Sequence, residues 1–234
     1  MLMLRILQVQ RFKMQQADSL WIVIPAYNEG DKISEVIEKA KFFSSNVIVV
    51  DDGSRDNTKQ IAEREGIVVL SHVVNLGKGA ALKTGCDYAV MKGAEKIVVL
   101  DADMQHKPED IPRFLKALEG RDIVFGYRQL DSGSMPSILR FGNKFINKLA
   151  FVLFGIKLND TQCGFRAFTS EAYKKIRWRA ADYSMESEMI ANAGKQKLNY
   201  SEVAIETVYL DRYKGTTVLD GVKIVMNMIS WRIR

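Results

Sequence analysis

Residues 97–106, IVVLDADMQH, constrain the fold more than any other stretch of the sequence. Four apolar residues, 97–100, are followed at once by Asp101 and Asp103. A short apolar run that ends in polar residues is typical of a strand buried on both faces of a parallel sheet. Because open α/β sheets bind ligands at the carboxyl ends of their strands, the two carboxylates are expected at a ligand site.

Asp101 and Asp103 have two interpretations, a divalent-metal site and an ordinary solvated loop. Mg²⁺ and Mn²⁺ take oxygen ligands and commonly bridge carboxylates to substrate phosphates. In that case Asp103 is the expected direct ligand, Gln105 adds a carbonyl oxygen, and Asp101 orients the substrate or the waters of the metal. Zinc is disfavoured because the chain has only two cysteines and two histidines, all far apart in sequence.

Strand and helix patterns alternate over the first 126 residues. Strands are predicted at 21–24, 47–50, 67–70, 97–100 and 122–126. Helices are predicted at 31–41, from 56 or 58 to 65, at 80–91, and from 108 onward. The alternation predicts a doubly wound, mostly parallel α/β sheet. Three strands end in loops with acidic or glycine residues that would meet at one edge, which indicates a nucleotide site.

The pattern changes after residue 128. Residues 132–137 are predicted to form a small polar loop of the kind that closes over substrates. A predicted helix at 138–154 carries Arg140, Lys144 and Lys148 at four-residue spacing, among aromatic residues. Such a helix lies in a lipid headgroup region or packs on the sheet with its charges in water. Strands at 160–168 and 201–208, a helix at 182–193 and an amphipathic helix at 218–234 complete the prediction.

The loop at 75–79 (NLGKG) also has two interpretations. Glycines let backbone N–H groups approach an anion at a helix N-terminus, so the loop resembles a phosphate-binding turn. The alternative is a plain helix start. No complete P-loop pattern and no G-x-G-x-x-G after the first strand is present.

Composition limits the remaining classes of function. The net charge of +6 indicates an anionic partner. A nucleic-acid-binding protein is disfavoured because the acids cluster at strand ends and no continuous basic face with interleaved aromatics is evident. No apolar stretch reaches the roughly 20 residues that span a bilayer. Residues 1–19 lack signal-peptide features and are treated as an extension.

Five motifs carry a family resemblance: IPAYNE (24–29), DDGS (51–54), NLGKGAAL (75–82), DADMQH (101–106) and DTQCGFRAF (160–168). Together they resemble the inverting family 2 glycosyltransferases, in particular dolichyl-phosphate mannose synthases and other polyprenyl-phosphate glycosyltransferases. The resemblance implies a GT-A fold over residues 20–217. It also implies metal-dependent transfer of a sugar, with Mg²⁺ or Mn²⁺, to a polyprenyl or dolichyl phosphate. GDP-mannose is the favoured donor, and UDP-glucose or UDP-N-acetylglucosamine is the alternative.

The resemblance further implies roles for individual residues. Those expected to hold the base and ribose are Pro25, Tyr27, Glu29 and Asp52. Those expected at the metal, diphosphate and sugar are Asp101, Ala102, Asp103 and Gln105. The nucleotide-sugar site also includes Val50, Lys78 and Lys214. The implied cationic clamps on the phosphates, which join Asp101 and Asp103 as catalytic residues, are Arg128 and Arg212. The acceptor-side candidates are Arg140, Arg166 and Glu188.

Simpler roles compete with several of these assignments. Pro25 and Tyr27 can shape a turn, Asp52 can cap a helix, and Arg166 can form a buried pair with Asp160. Glu186 and Glu188 look like the acidic pair that serves as a general base in relatives with hydroxyl acceptors. A lipid phosphate is already ionised at neutral pH, with a second pKa of roughly 6. We therefore expect a lipid-phosphate acceptor and no general-base role for this pair.

The sequence departs from the family pattern near its end. Relatives often have Arg-x-x-Gly-x-Ser-Lys, whereas this chain reads RYKGTTV at 212–218 and lacks the basic residue after the Thr. The enzyme is expected at the cytoplasmic face of a membrane, bound peripherally. Some relatives continue into transmembrane helices, so a peripheral enzyme, one with a membrane subunit, and a piece of a longer chain all stay open.

Overall fold

The computed structural model describes residues 19–128, 137–206 and 218–233. Its strands are β1 (Leu20–Ala26), β2 (Asn46–Asp51), β3 (Val68–Ser71), β4 (Lys96–Val99), β5 (Ile123–Arg128), β6 (Arg166–Thr169) and β7 (Tyr200–Ile205). Its helices are α1 (Ile33–Lys41), α2 (Thr58–Arg64), α3 (Lys78–Met91), α4 (Ile111–Ala117), α5 (Ser137–Phe154), α6 (Ser170–Ile176), α7 (Ser184–Lys195) and α8 (Val218–Ile233). A 3-10 turn at Pro108–Asp110 precedes α4.

The described strands form one seven-stranded sheet in the order β3-β2-β1-β4-β6-β5-β7. Strand β6 is antiparallel to both β4 and β5, and the other pairings are parallel. This confirms the predicted mostly parallel α/β fold. The antiparallel insertion of β6 was not predicted from the sequence pattern.

Strand β1 continues through Pro25 to Ala26, whereas the predicted strand ends at residue 24. The backbone carbonyl of Ala26 accepts a hydrogen bond from the Asp52 N–H. The backbone polar groups of Ala26 therefore point to β2, and those of Pro25 point to the β4 side. The register places Val23 opposite Val99, the last residue of β4. The missing N–H of proline therefore falls where the neighbouring strand has already ended, and no ladder hydrogen bond is lost.

Three further elements of the structure differ from the prediction. Within the predicted strand 160–168, only the part from Arg166 onward is strand, and the residues before it form a loop. Helix α6 was not predicted, although Thr169 caps it by accepting a hydrogen bond from the Ala172 N–H at 3.1 Å. The predicted strand 201–208 ends at Ile205, and residues 207 and 208 lie outside the described residues. All residues of the predicted loop at 132–137 except Ser137 also lie outside the residues that the structure describes.

Both faces of the sheet are buried at its central strands, as the apolar runs predicted, whereas the outer strands β3 and β7 are largely half-buried. Successive residues of β1 alternate between the faces. Ile22 and Ile24 belong to the core cluster on the side of α1 and α4, and Val23 belongs to the cluster on the side of α3, α5, α7 and α8. Helix α8 packs on α5 and α7 through Ile224 and Met228.

We predict that Gly85→Ala destabilises the fold by about 1–3 kcal/mol, the usual cost of overpacking a core. A Cβ on Gly85 would lie 2.4 Å from Cγ1 of Val23, because α3 lies directly on β1. The matched control is Gly142→Ala, at a helical position where a Cβ would meet nothing within 4 Å. Thermal denaturation should show a lower Tm for Gly85→Ala and an equal or higher Tm for the control.

Candidate active site

An open pocket of about 560 Å³ lies at the carboxyl ends of β1, β2, β4 and β5. The residues that line it and were predicted as site residues are Pro25, Tyr27, Glu29, Asp52, Lys78, Asp101, Ala102, Asp103, Gln105 and Arg128. Those that line it and were not predicted as site residues include Asn28, Asn75, His106, Asn143, Gln162, Tyr183 and Glu186. His106, Asn75 and Gln162 stand inside the quoted motifs, which is a signal that could have found them.

The first two motifs along the chain interlock at one wall of the pocket. The Asn28 N–H donates to Ser54 Oγ at 2.9 Å, and the Arg55 N–H donates to Asn28 Oδ1 at 2.9 Å. Asn28 has a left-handed backbone (φ 55°), which asparagine tolerates better than most residues. These hydrogen bonds between two separate segments of the chain fix the backbone of the pocket wall that carries Tyr27.

Lys78 lies between two carboxylates at the centre of the pocket. Its Nζ is 2.7 Å from Asp101 Oδ1 and 3.0 Å from Glu186 Oε1. Burial lowers the pKa of Lys78, but the charges of Asp101 and Glu186 outweigh that effect and hold it above its usual value. Burial likewise raises the pKa of Asp101, and the Lys78 ammonium outweighs it, so Asp101 is ionised.

Asp103 lies in a different environment from Asp101. Burial and the nearby charge of Asp101 raise the pKa of Asp103 above its usual value. Its Oδ1 accepts a hydrogen bond from the Gln105 N–H at 3.0 Å, across Met104 in a left-handed conformation (φ 63°). A cation beside Asp103 would relieve the repulsion between the two acids.

The donor set of this loop fits a hard cation. Within the described ranges, no group of three or more His, Cys, Asp or Glu side chains is arranged to hold a metal. Mg²⁺ is commonly bound through one or two carboxylates, with waters and substrate phosphates as its other ligands, and Asp103 with the Gln105 carbonyl oxygen is compatible with that kind of site. Burial lowers the pKa of His106, and its Nδ1, 3.8 Å from Asp101 Oδ2, is buried without a hydrogen-bond partner.

The turn at 75–79, interpreted either as a phosphate-binding turn or as a plain helix start, uses part of its backbone N–H groups for contacts within the protein. The N–H groups of Leu76 and Gly77 donate to the Asp52 carboxylate at 3.0 and 2.8 Å. The Ala80 N–H donates to the carbonyl of Ala181 at 3.1 Å. Two amides of the turn thus bind a protein carboxylate. Gly77 takes φ 98°, and a Cβ there would lie 2.5 Å from the Ala181 oxygen.

Asp52 consequently has a structural task in addition to lining the pocket. Its Oδ1 lies 2.7 Å from Nδ1 of His72, and the same carboxylate holds the 76–77 amides at the start of α3. These amides belong to the turn before α3, whose N-cap position is Gly77, so Asp52 anchors that turn and does not cap the helix itself. Val50, predicted at the nucleotide-sugar site, is fully buried in β2 and does not line the pocket.

Arg128 pairs with Asp160, so the alternative role of Arg166, a buried pair with Asp160, is not what the structure shows. Arg128 Nε lies 2.6 Å from Asp160 Oδ2. Arg166 is buried and donates to the carbonyl oxygens of Thr161, Cys163 and Glu186 at 2.9–3.1 Å. Because its guanidinium serves the backbone inside the core, Arg166 is not at the acceptor side of the pocket, where it was expected.

Glu188 is also absent from the pocket, contrary to expectation. Its carboxylate is buried and accepts hydrogen bonds from the N–H groups of Arg179 and Ala180 at 2.8–3.0 Å. Arg140 lies on α5, but its side chain lies outside what the structure describes. Arg212 and Lys214 lie outside the described residues altogether.

The fold and this site define a GT-A glycosyltransferase. A mostly parallel sheet with one antiparallel strand presents an Asp-x-Asp pair at the end of β4, in a pocket that crosses the strand ends. Residues 21–177 match the family described as "Glycosyl transferase family 2". The chain belongs to this family and is a glycosyltransferase.

Known proteins resemble the chain over nearly its whole length. It is 34% identical to the UDP-N-acetylglucosamine–dolichyl-phosphate N-acetylglucosaminyltransferase of Methanococcus voltae, over 93% of this chain and 98% of the relative. It is 27% identical to the polyprenol monophosphomannose synthase of Mycolicibacterium smegmatis, over 91% and 86%. The solved glucosyl-3-phosphoglycerate synthase of Mycobacterium tuberculosis, in complex with Mn²⁺, UDP and phosphoglyceric acid, superposes with a TM-score of 0.73 at 19% identity, covering 92% of this chain and 78% of that one.

We predict that Asp160→Asn destabilises the protein by about 3 kcal/mol at pH 7, the lower end of the cost of breaking a buried ion pair. Arg128 outweighs burial and holds the pKa of Asp160 below its usual value. A lowered folded pKa stabilises the protein above the unfolded value of about 3.9, and this is lost as the pH falls further. Urea denaturation should therefore show a difference from wild type that narrows below about pH 4; a difference independent of pH would contradict the assignment.

Proposed function

We propose that this glycosyltransferase transfers a hexose from a nucleoside diphosphate sugar to the phosphate of a polyprenyl or dolichyl lipid at a membrane surface. The observation that carries the proposal is that Glu186 and Glu188 both have partners within the protein. In relatives with hydroxyl acceptors, an acidic pair of this kind is expected to supply the general base. Glu186 is paired with Lys78, and Glu188 accepts from two backbone amides. A site with this arrangement suits an acceptor that is already ionised. The names of the Methanococcus and Mycolicibacterium relatives support the same acceptor class.

The proposed reaction is a single in-line displacement at the anomeric carbon. An oxygen of the lipid phosphate forms the new bond to that carbon as the bond to the nucleoside diphosphate breaks, which inverts the configuration. No proton has to be removed from the acceptor, because a phosphate with a second pKa of roughly 6 is an anion at neutral pH. Arg128, at the edge of the pocket, supplies positive charge for the phosphates, and Arg212 is predicted to do the same.

A divalent cation fits the acidic side of this pocket. Asp103 and Gln105 would hold Mg²⁺ or Mn²⁺, and Asp101 would remain paired with Lys78. When bound, such a cation offsets the negative charge of the leaving diphosphate. The raised pKa of Asp103, caused by burial and by Asp101, supports a role for positive charge at this position.

GDP-mannose remains the predicted donor, with UDP-glucose and UDP-N-acetylglucosamine as alternatives. The relatives support both classes, because the mannose synthase and the N-acetylglucosaminyltransferase are each similar along most of the chain. The higher identity to the N-acetylglucosaminyltransferase favours UDP-N-acetylglucosamine as the second donor to test.

We expect transfer from one of these three donors to polyprenyl phosphate, dependent on Mg²⁺ or Mn²⁺. Asp103→Asn should lower kcat/KM by at least about 100-fold, because charge stabilisation at such sites is worth several kcal/mol. The matched control is Asp110→Asn, outside the pocket and paired with the exposed Arg113. Radiolabelled donors with separated lipid products provide the measurement. Full activity in excess chelator, or transfer only to hydroxyl acceptors, would refute the proposal.

Helices α5 and α8 support the proposed membrane contact. Large apolar residues exposed on them are Phe145, Phe151, Val152, Val222, Met226, Ile229 and Ile233. Cationic residues exposed beside them are Lys144, Lys148, Lys223 and Arg232. Residues 137–154 contain no Asp or Glu. No helix within the described ranges is both long and apolar enough to span a bilayer.

An apolar surface with cations around it suits an anionic lipid headgroup region. We name this surface, the exposed apolar and cationic residues of α5 and α8, the α5–α8 face. We propose that this face lies on the membrane and brings the pocket to the acceptor lipid. The predicted side of the membrane is its cytoplasmic leaflet.

Vesicle flotation tests the α5–α8 face. We expect binding to anionic vesicles at low salt and weaker binding at high salt. Lys144→Gln with Lys148→Gln should lower affinity roughly 10- to 30-fold, since each basic residue near anionic headgroups is worth about 1 kcal/mol. The control pair Lys41→Gln and Lys59→Gln, on α1 and just inside α2, should bind like wild type. Equal binding of both pairs to anionic vesicles would count against the proposed face.

A further inference from the structure

Helix α5 has two faces with different partners. Its outer face carries Phe145, Lys148 and Phe151, which are exposed as part of the α5–α8 face. Its other side carries Asn143, which lines the pocket, and Asn147. The proposed reaction leaves Asn147 without an assigned role, although its side chain uses both its donor and its acceptor.

Asn147 binds the chain on both sides of residue 160. Its Nδ2 donates to the carbonyl oxygen of Asn159 at 2.7 Å. Its Oδ1 accepts from the N–H of Thr161 at 3.1 Å and from the Thr161 hydroxyl at 2.8 Å. One amide side chain therefore fixes the residues before and after Asp160, at three points.

Asp160 in turn holds Arg128. Its Oδ2 accepts from Arg128 Nε at 2.6 Å and its Oδ1 from Arg128 Nη2 at 3.1 Å, a bidentate geometry. The Asp160 side chain is also fixed by the Gln162 N–H, 3.0 Å from Oδ1. Arg128 is the last residue of β5 and lies at the pocket, so the guanidinium takes its position from the loop at 159–162.

We infer that Asn147 is a positioning residue, which sets the Arg128 guanidinium at the pocket through Asn159, Asp160 and Thr161. This inference rests on the proposed function for the meaning of that position, the binding of the acceptor phosphate. The helix proposed to lie on the lipid surface is then the same element that orients the cation for the lipid phosphate.

Asn147→Ala should raise KM for polyprenyl phosphate about 10-fold, the scale of one or two side-chain hydrogen bonds, and leave KM for the donor within about twofold. Arg128→Met should raise the acceptor KM further. The double variant should be no worse than Arg128→Met alone, because Asn147 acts only through Arg128. The matched control, Asn192→Ala, removes an asparagine that donates to the Ile176 carbonyl away from the pocket. It should leave both KM values unchanged.

A second readout needs no turnover. The Nε–H of Arg128, bonded to a buried carboxylate, should give a slowly exchanging side-chain NMR signal, assigned by its loss in Arg128→Met. Asn147→Ala should shift or broaden this signal, and Asn192→Ala should not. An unchanged signal in Asn147→Ala, or acceptor costs that simply add in the double variant, would overturn the inference. If wild type transfers no sugar to polyprenyl phosphate, the proposed function fails while the NMR signal still decides the role of Asn147.

Discussion

The pocket depends on how its negative charge is balanced. Asp101, Asp103 and Glu186 converge on a partly enclosed space, where unpaired carboxylates are costly. Lys78 balances Asp101 and Glu186 through contacts of 2.7 and 3.0 Å. Asp103 has no ion pair of this kind among the described residues, and its pKa is raised. One ammonium is thus shared by two acids, and Asp103 adds a further negative charge that no ion pair among the described residues offsets.

The same walls are held together by contacts between distant parts of the chain. Lys78 at the start of α3 meets Glu186 in α7, and the turn before α3 packs against the backbone of Ala180 and Ala181. Glu188 fixes that backbone from its other side. The start of α3 and the segment before α7 therefore form one packed unit. Gly77 and Gly79 permit the close approach of the two backbones.

The sequence pattern predicted the fold well where local chemistry decides the outcome. Buried apolar runs located β1, β2, β3, β4 and β5, and the acids after β4 do lie at the pocket. Prediction was poorer where the outcome depended on a partner. The 75–79 turn has the glycines of an anion site, but the Asp52 carboxylate accepts hydrogen bonds from the N–H groups of Leu76 and Gly77. Arg166 stands closer in sequence to Asp160 than Arg128 does, yet the antiparallel β6 directs Arg166 into the core.

By itself the sequence determined the alternation of strands and helices, the burial of both faces of the central strands and the placement of the acid pair at a strand end. These features follow from the spacing of apolar residues and from backbone geometry, both of which depend on residues that are close in sequence. Only the tertiary structure decided which cation pairs with which acid, which of Glu186 and Glu188 lines the pocket and which apolar residues of α8 remain exposed. Such pairings join residues up to 108 positions apart, as Lys78 and Glu186 are, and no local pattern encodes them.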